Sequence, residues 1–311
     1  MHKAEQPFLI PQQVLKTHYA LIKKHLSPII SHKNVMHLDI PCYANIGDFL
    51  IDLGTEKLIS DCNAICLNRY SVFDINSLQN RKMDPSTILL LQGGGNFGDL
   101  YSIHQQLRLD IINQYPDNPI IILPQSVHYQ DISALINDAR TLNRHQKLTV
   151  CLRDQPSYDL INAHVDADKL LLLPDMASSL VESFPYQPNA MLDRLLFRRN
   201  DIESTQASTP TSSFDWSNLV SKLDNRKLKL AKRLLKNNHK LLHRYYGHKL
   251  HINLRNKLIH LAVNHFQQHQ TIDTDRLHGM ILSQLLQIPT VMHDNSYGKN
   301  RRYFNAWFSE S

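Results

Sequence analysis

The residues of this chain best suited to chemistry fall in two short segments. Residues 88–101, ILLLQGGGNFGDLY, carry an apolar run into Gly93, Gly94 and Gly95, followed by Asn96 and Asp99. Contiguous glycines let a backbone come close to a ligand and aim its N–H groups at an anion, so this segment reads as an anion-binding turn. Residues 275–279, DRLHG, place Arg276 and His278 where a strand meets a helix, and helix N-terminal amides favour an anion there too. A guanidinium and an imidazole together suit a phosphate or a carboxylate, and an imidazole can pass a proton. Arg153 ends another strand and would complete such a clamp. The glycine segment is not a nucleotide loop of known form. No GK[ST] follows it, and GGGNFG lacks the acidic residue on the next strand that a GxGxxG fingerprint requires.

These side chains need elements that deliver them to one edge. Amphipathic spacing predicts a helix over residues 14–26, and residues 35–40 read as a strand ending at Pro41. The run PCYANIGDFLIDLG then puts Asn45, Gly47 and Asp48 at a strand-to-helix junction. Further strands are expected at 65–70, 88–91, 119–125, 148–152 and 169–173, with helices at 107–114 and 132–144. Continuous apolar strands alternating with helices point to a parallel sheet covered on both faces, and such sheets bind ligands at the carboxyl ends of their strands. Two prolines within residues 182–189 mark a boundary, and strands at 195–197, 270–273 and 289–293 follow it. The expected architecture is α/β, with two Rossmann-like domains at 1–185 and 186–311 and a ligand cleft between them. Residues 205–213, rich in Ser, Thr and Pro, read as a loop.

Composition narrows the class. With 42% hydrophobic and 20% charged residues in 311, the chain is that of a globular protein with enough apolar side chains for sizeable cores. The start, MHKAEQPFLIPQQ, has no apolar signal region, and no apolar run approaches the ~20 residues of a membrane span, so the expected location is the cytoplasm. Cys42, Cys62, Cys66 and Cys151 are read as reduced, mostly buried thiols; they form no zinc spacing, the 18 histidines form no HExxH, and no metal site is expected. The net charge of +6 is concentrated: residues 221–258 hold twelve Lys and Arg against Asp224 alone. Leu223, Leu230, Leu234, Leu241 and Tyr245 recur there at helical spacing, which predicts an amphipathic basic helix or helix pair. Nucleic acid or an anionic membrane surface would suit such a segment, and the membrane is the expected partner, with no nucleic acid.

Taken in order, ANIGDFLI, LQGGGNFGDLY, LPQSVHY, LRDQPSYDL, LPDMA, FRRNDIES, TDRLHGMI and HDNSYGK resemble the polysaccharide pyruvyl transferases. The resemblance spans most of the chain and is least in the basic stretch after Trp216. It implies a two-domain fold similar to GT-B glycosyltransferases, phosphoenolpyruvate as donor, a saccharide acceptor and a cyclic pyruvate ketal as product. It also implies that Arg276, His278 and Arg153 hold the donor. A GT-B glycosyltransferase using a nucleotide sugar is the first alternative, because fold does not decide chemistry. A non-catalytic nucleic-acid or glycan-binding protein is the second.

The chemistry of the donor assigns expected roles. Gly93, Gly94, Gly95 and Asn96 join Arg153, Arg276 and His278 in binding phosphoenolpyruvate, which carries a carboxylate and a phosphate. His278 and Arg276 are the expected catalytic pair, and Asp48 or Asp99 accepts a hydroxyl proton. Asn45, Gln125, His128, Asn295, Tyr297 and Lys299 are the acceptor candidates, the neutral ones facing hydroxyls and Tyr297 stacking on a pyranose. No cofactor is required. The acceptor is expected on a lipid, with the enzyme peripheral at the inner face of the membrane.

Overall fold

The computed structural model of the chain describes residues 6–78, 81–185, 190–199, 213–237, 241–294 and 298–309, without the side chain of Leu241. It is a mixed α/β protein whose central sheet is parallel. The strands of that sheet are β1 (Asn34–Leu38), β2 (Ile65–Tyr70), β3 (Ile88–Leu91), β4 (Gly94–Gly98), β5 (Ile120–His128), β6 (Leu148–Leu152) and β7 (Leu170–Leu172). Their order is β2-β1-β3-β5-β6-β7, with β4 pairing β5 beyond the end of β3. All four residues of β3 are buried, as a strand covered on both faces must be. The helices between are α1 (Gln12–Ile30), α2 (Ile46–Asp61), α3 (Ser102–Gln114), α4 (Ile132–Arg144) and α5 (Gln155–Asn162). The strand order reverses at β1, which pairs β2 on one side and β3 on the other. Ligands of open α/β sheets sit outside the carboxyl ends at such a reversal.

The glycine segment departs from the expected turn. Gly94, Phe97 and Gly98 pair in parallel with Gln125, Val127 and His128, so β4 prolongs β3 alongside the longer β5. Glycine is needed where the strand is tightest: at Gly98, with φ 117°, a Cβ would lie 1.8 Å from the carbonyl oxygen of His128.

A second, three-stranded parallel sheet is built from β8 (Leu192–Phe197), β9 (His269–Thr274) and β10 (Thr290–Met292), in the order β10-β9-β8. Its helices are α6 (Lys222–Lys236), α7 (Leu241–Gln267), α8 (Leu277–Leu285) and α9 (Lys299–Trp307). One apolar cluster runs from Ile22 and Leu26 on α1 through Phe49 and Leu50 on α2 to Met280 on α8 and Phe304 on α9. The four cysteines are free, three of them buried. Among the described residues no helix is long and apolar enough to cross a membrane.

The basic segment is a helical hairpin, but its core face is not the one its leucine spacing predicts. Leu228, Ala231 and Leu235 are buried, whereas Leu223 and Leu230 are 57% and 49% exposed. The inward set recurs at intervals of three and four and follows the helix period, while Leu223 and Leu230, seven apart, form a second stripe facing water. Leu235 packs on Ile40 and Cys42, just past β1, with Phe73 beside them. Further along, Arg255 is buried and binds both Asp52 and Glu56, which ties α7 to α2.

His251 on α7 adds a second tie, bonding through Nε2 to the carbonyl of Pro41 at 2.6 Å. Burial pushes its imidazole from the ordinary 6.5 down to about 4, against the pull of nearby Asp52. Between those values the unfolded chain takes up a proton that the folded chain refuses, so stability falls as pH drops from 6.5 towards 4. The loss from this group is about 3 kcal/mol. His251→Gln should flatten part of the acid limb in a plot of unfolding free energy against pH. An unchanged acid limb would show that His251 titrates normally.

Candidate active site

The carboxyl ends of β1 and β3 and the first turns of α2 and α8 face a cavity of about 330 Å³. Asn45 is the N-cap of α2: its Oδ1 accepts from the Gly47 amide at 3.1 Å and its Nδ2 donates to Asp48 Oδ2 at 2.8 Å. The cap therefore fixes the Asp48 carboxylate. Gly47 lets the two helix starts meet, since a Cβ there would lie 2.5 Å from Nδ1 of His278. His278 is in the first turn of α8, immediately after Leu277.

Behind His278 lies a buried charge chain drawn from three segments. Asp175, which follows β7, accepts from Arg153 Nη1 at 2.5 Å, lies 3.3 Å from His278 Nε2, and accepts from the Ala177 amide at 2.8 Å. Burial would raise its pKa, but the charge and hydrogen bond of His278, the Arg153 guanidinium and the Ala177 N–H outweigh this and hold it well below the ordinary range. Arg153 is fully buried and also donates through Nε to Ser126 Oγ at 2.9 Å. Its Nη2 is buried with no partner. That nitrogen lies against Gly95: a Cβ on Gly95 would be 3.1 Å from Nη2 and 2.3 Å from Nζ of Lys299. The missing side chain of Gly95 thus leaves a gap bordered by two cations, one just past β6 and the other at the start of α9.

The cavity brings together Asn45, Asp48, Gly93, Gly95, Asn96, Arg276, His278 and Lys299. Gly94 does not line the cavity itself, and a Cβ there would face Ile51 at 3.4 Å and Asp48 Oδ1 at 3.7 Å. Gln125 is fully buried and spends its amide on the Gln92 carbonyl and on Asn96, so it braces the glycine strand and is not offered to an acceptor. Asp99 is not at the cavity either: its Oδ2 accepts from the amides of Gln130 and Asp131 and so closes the turn into α4. His128 borders a small adjoining cavity with Ser126, Asp154 and Arg302, which shares Gly95 and Lys299 with the first. Asn295 and Tyr297 lie outside the described residues.

Arg276 also has a partner that its sequence neighbourhood does not reveal. Its Nε donates to Asp215 Oδ1 and its Nη2 to Asp215 Oδ2 at 2.6 Å, a two-pronged pair across 61 residues. Asp215 in turn caps the short turn that carries Trp216 to the cavity wall.

Several residues in or behind the cavity wall were not singled out by the sequence. Asp39, just past β1, adopts a left-handed backbone with φ 63°, costly for a non-glycine residue and typical of functional sites. Its carboxylate bonds Nδ1 of His104 at 2.7 Å, and Asn96 donates to it at 3.3 Å. Burial lowers the His104 pKa, but the hydrogen bond and charge of Asp39 prevail and raise it. Tyr43, Tyr101 and Arg199 complete the wall. The Tyr43 hydroxyl is pushed well up by burial and by the charge of Asp48. Among the described residues no cluster of His, Cys, Asp or Glu could hold a metal ion. The arrangement can bind a small multiply charged anion at Gly95 while holding an imidazole and a carboxylate on the same space.

A parallel α/β sheet with its cavity at the strand-order reversal, a capped Asp48 and a His278 backed by a buried carboxylate define a class. The chain belongs to the polysaccharide pyruvyl transferase family, whose profile matches residues 44–297. That span takes in the Asn45 cap, the glycine strand, Arg153, Asp175 and the turn at His278.

Among its relatives, the chain is similar to EpsO of Bacillus subtilis (strain 168), which bears the name of a pyruvyl transferase, at 34% identity over 91% of this chain and 88% of that one. It is also similar to pyruvyl transferase 1 of Schizosaccharomyces pombe, at 26% identity over 88% of this chain and 70% of that one. Among solved structures, a functionally uncharacterised protein from Klebsiella pneumoniae shares the fold, with a TM-score of 0.60 and 21% identity, covering 97% of this chain and 96% of that one.

Proposed function

We propose that this protein moves the enolpyruvyl unit of phosphoenolpyruvate onto a saccharide and closes it as a pyruvate ketal, in cell-surface or exopolysaccharide biosynthesis. The observation that carries this reading is the gap at Gly95, where the unpartnered Nη2 of buried Arg153 and the Nζ of Lys299 converge beside His278 and Asp48. A donor with a carboxylate and a phosphate close together suits two fixed cations that no side chain separates. Residues 1–185 and 186–311 would then form the two halves of a GT-B-like arrangement, and the acceptor is a saccharide carried on a lipid at the inner face of a membrane.

The reaction assigns each proton. The donor's methylene carbon gains a proton from His278 and becomes a methyl group, leaving an oxocarbenium-like carbon. A sugar hydroxyl adds to that carbon as Asp48 takes its proton. The carbon–oxygen bond to phosphate breaks, a second hydroxyl of the same sugar adds, and the proton it releases leaves with inorganic phosphate, while the proton on Asp48 returns through solvent to His278. Cations already in place at Gly95 stabilise the departing charge without reorganising.

Donor binding can be tested without knowing the acceptor. Phosphoenolpyruvate should raise the Tm of the wild-type protein, and Gly95→Val, which fills the gap, should abolish that rise while leaving the unliganded Tm close to wild type. A nucleotide sugar that raises Tm where phosphoenolpyruvate does not would favour glycosyl transfer.

A further inference from the structure

We infer that the α6–α7 hairpin is a docking surface for an anionic membrane. Four cations on the outer face of α6, Arg226, Lys227, Lys229 and Arg233, are exposed and make no ion pair among the described residues. The same helix turns Leu223 and Leu230 to solvent, the second stripe that its own core does not use. At the other end of the hairpin, Leu242 and Tyr245 on α7 are 67% and 58% exposed and form a groove of about 810 Å³ against Leu67 on β2. Tyrosine with its ring in apolar contact and its hydroxyl in water suits the headgroup level of a bilayer.

Charge and apolarity together select the occupant. Cations alone would serve nucleic acid equally well, but phosphate backbones give no return for burying leucines, whereas the headgroup and acyl boundary does. An anionic surface adds attraction at each basic side chain close to it. The hairpin also sits where docking matters. Leu235 of α6 packs on Ile40 and Cys42, and His251 of α7 bonds Pro41, so both helices grip the connection that leads to Tyr43, Asn45 and Asp48. A bilayer held on the outer face is one helix away from the loop that forms one wall of the cavity. The inference rests on the proposed function only in naming the acceptor as lipid-linked; the docking itself does not depend on it.

Sedimentation with vesicles tests it, because that assay contains neither donor nor acceptor and is independent of pyruvyl transfer. Wild-type protein should pellet with vesicles of phosphatidylglycerol and phosphatidylcholine and stay in the supernatant with phosphatidylcholine alone. The variant Arg226→Gln/Lys227→Gln/Lys229→Gln/Arg233→Gln should lose affinity on the order of a hundred-fold. Leu242→Ser/Tyr245→Ser should lose about ten-fold. Both variants should keep the wild-type circular dichroism spectrum. Wild-type protein that ignores anionic vesicles, either variant binding as tightly as wild type, or retention on duplex DNA without retention on vesicles would overturn the inference.

Discussion

His278→Ala is expected to lower turnover by about two to four orders of magnitude while leaving the circular dichroism spectrum and Tm close to wild type. The imidazole sits in the first turn of α8, opposite Gly47 in the first turn of α2, with Asp175 behind it and the cavity in front. Alanine removes the proposed proton carrier but keeps the helix, whose anchor is the buried face of Met280, Ile281 and Leu282. The measurement is phosphate released from phosphoenolpyruvate in single-turnover and steady-state modes. A rate within ten-fold of wild type would take His278 out of the chemistry.

Asp175→Asn is the complementary case, in which stability and activity fall together. The carboxylate carries the countercharge for an arginine with no exposed surface, and removing it leaves that guanidinium buried without compensation. Such a break costs about 3–5 kcal/mol, readable as a lower midpoint in urea unfolding. His278 would also lose the partner that orients its ring. Arg153→Met/Asp175→Leu separates the two effects: it should recover most of the stability, since apolar residues tolerate the interior, yet remain inactive for want of the donor's cation. Wild-type stability in Asp175→Asn would show that the pair contributes nothing to the fold.

How much of this was legible in the sequence differs by kind of signal. Strand and helix identity followed from local pattern: β2, β3, α4 and β6 fall where their apolar runs put them. One helix start was legible as well, because Asn45 stands immediately before the helix it caps. Pairings across the fold were not. Nothing near Arg276 points to Asp215, and nothing near His278 points to Asp175, since each contact is created by chain segments that meet only in three dimensions. The glycine segment shows the same limit in another form. Its composition was a true sign of close approach, but the neighbour that demands the glycine at Gly98 is the carbonyl of His128, on a strand thirty residues away. Asp99 and Gln125 looked equally suited to a ligand, but Asp99 Oδ2 is held by the amides of the turn into α4, and Gln125 by the Gln92 carbonyl and Asn96. The spacing of Leu223 and Leu230 misled for a physical reason too: a helix can carry two apolar stripes, and spacing alone does not say which one the core takes.

The last described helix contributes more than its length suggests. Lys299 opens α9 beside Gly95, the Tyr303 hydroxyl accepts from the Asp175 amide at 3.2 Å, and the Trp307 indole donates to the Arg153 carbonyl at 2.8 Å. A nascent chain on the ribosome can therefore finish its whole seven-stranded sheet and still lack the latch over Arg153 and Asp175. On the function proposed above, the donor site is complete only once α9 has cleared the exit tunnel.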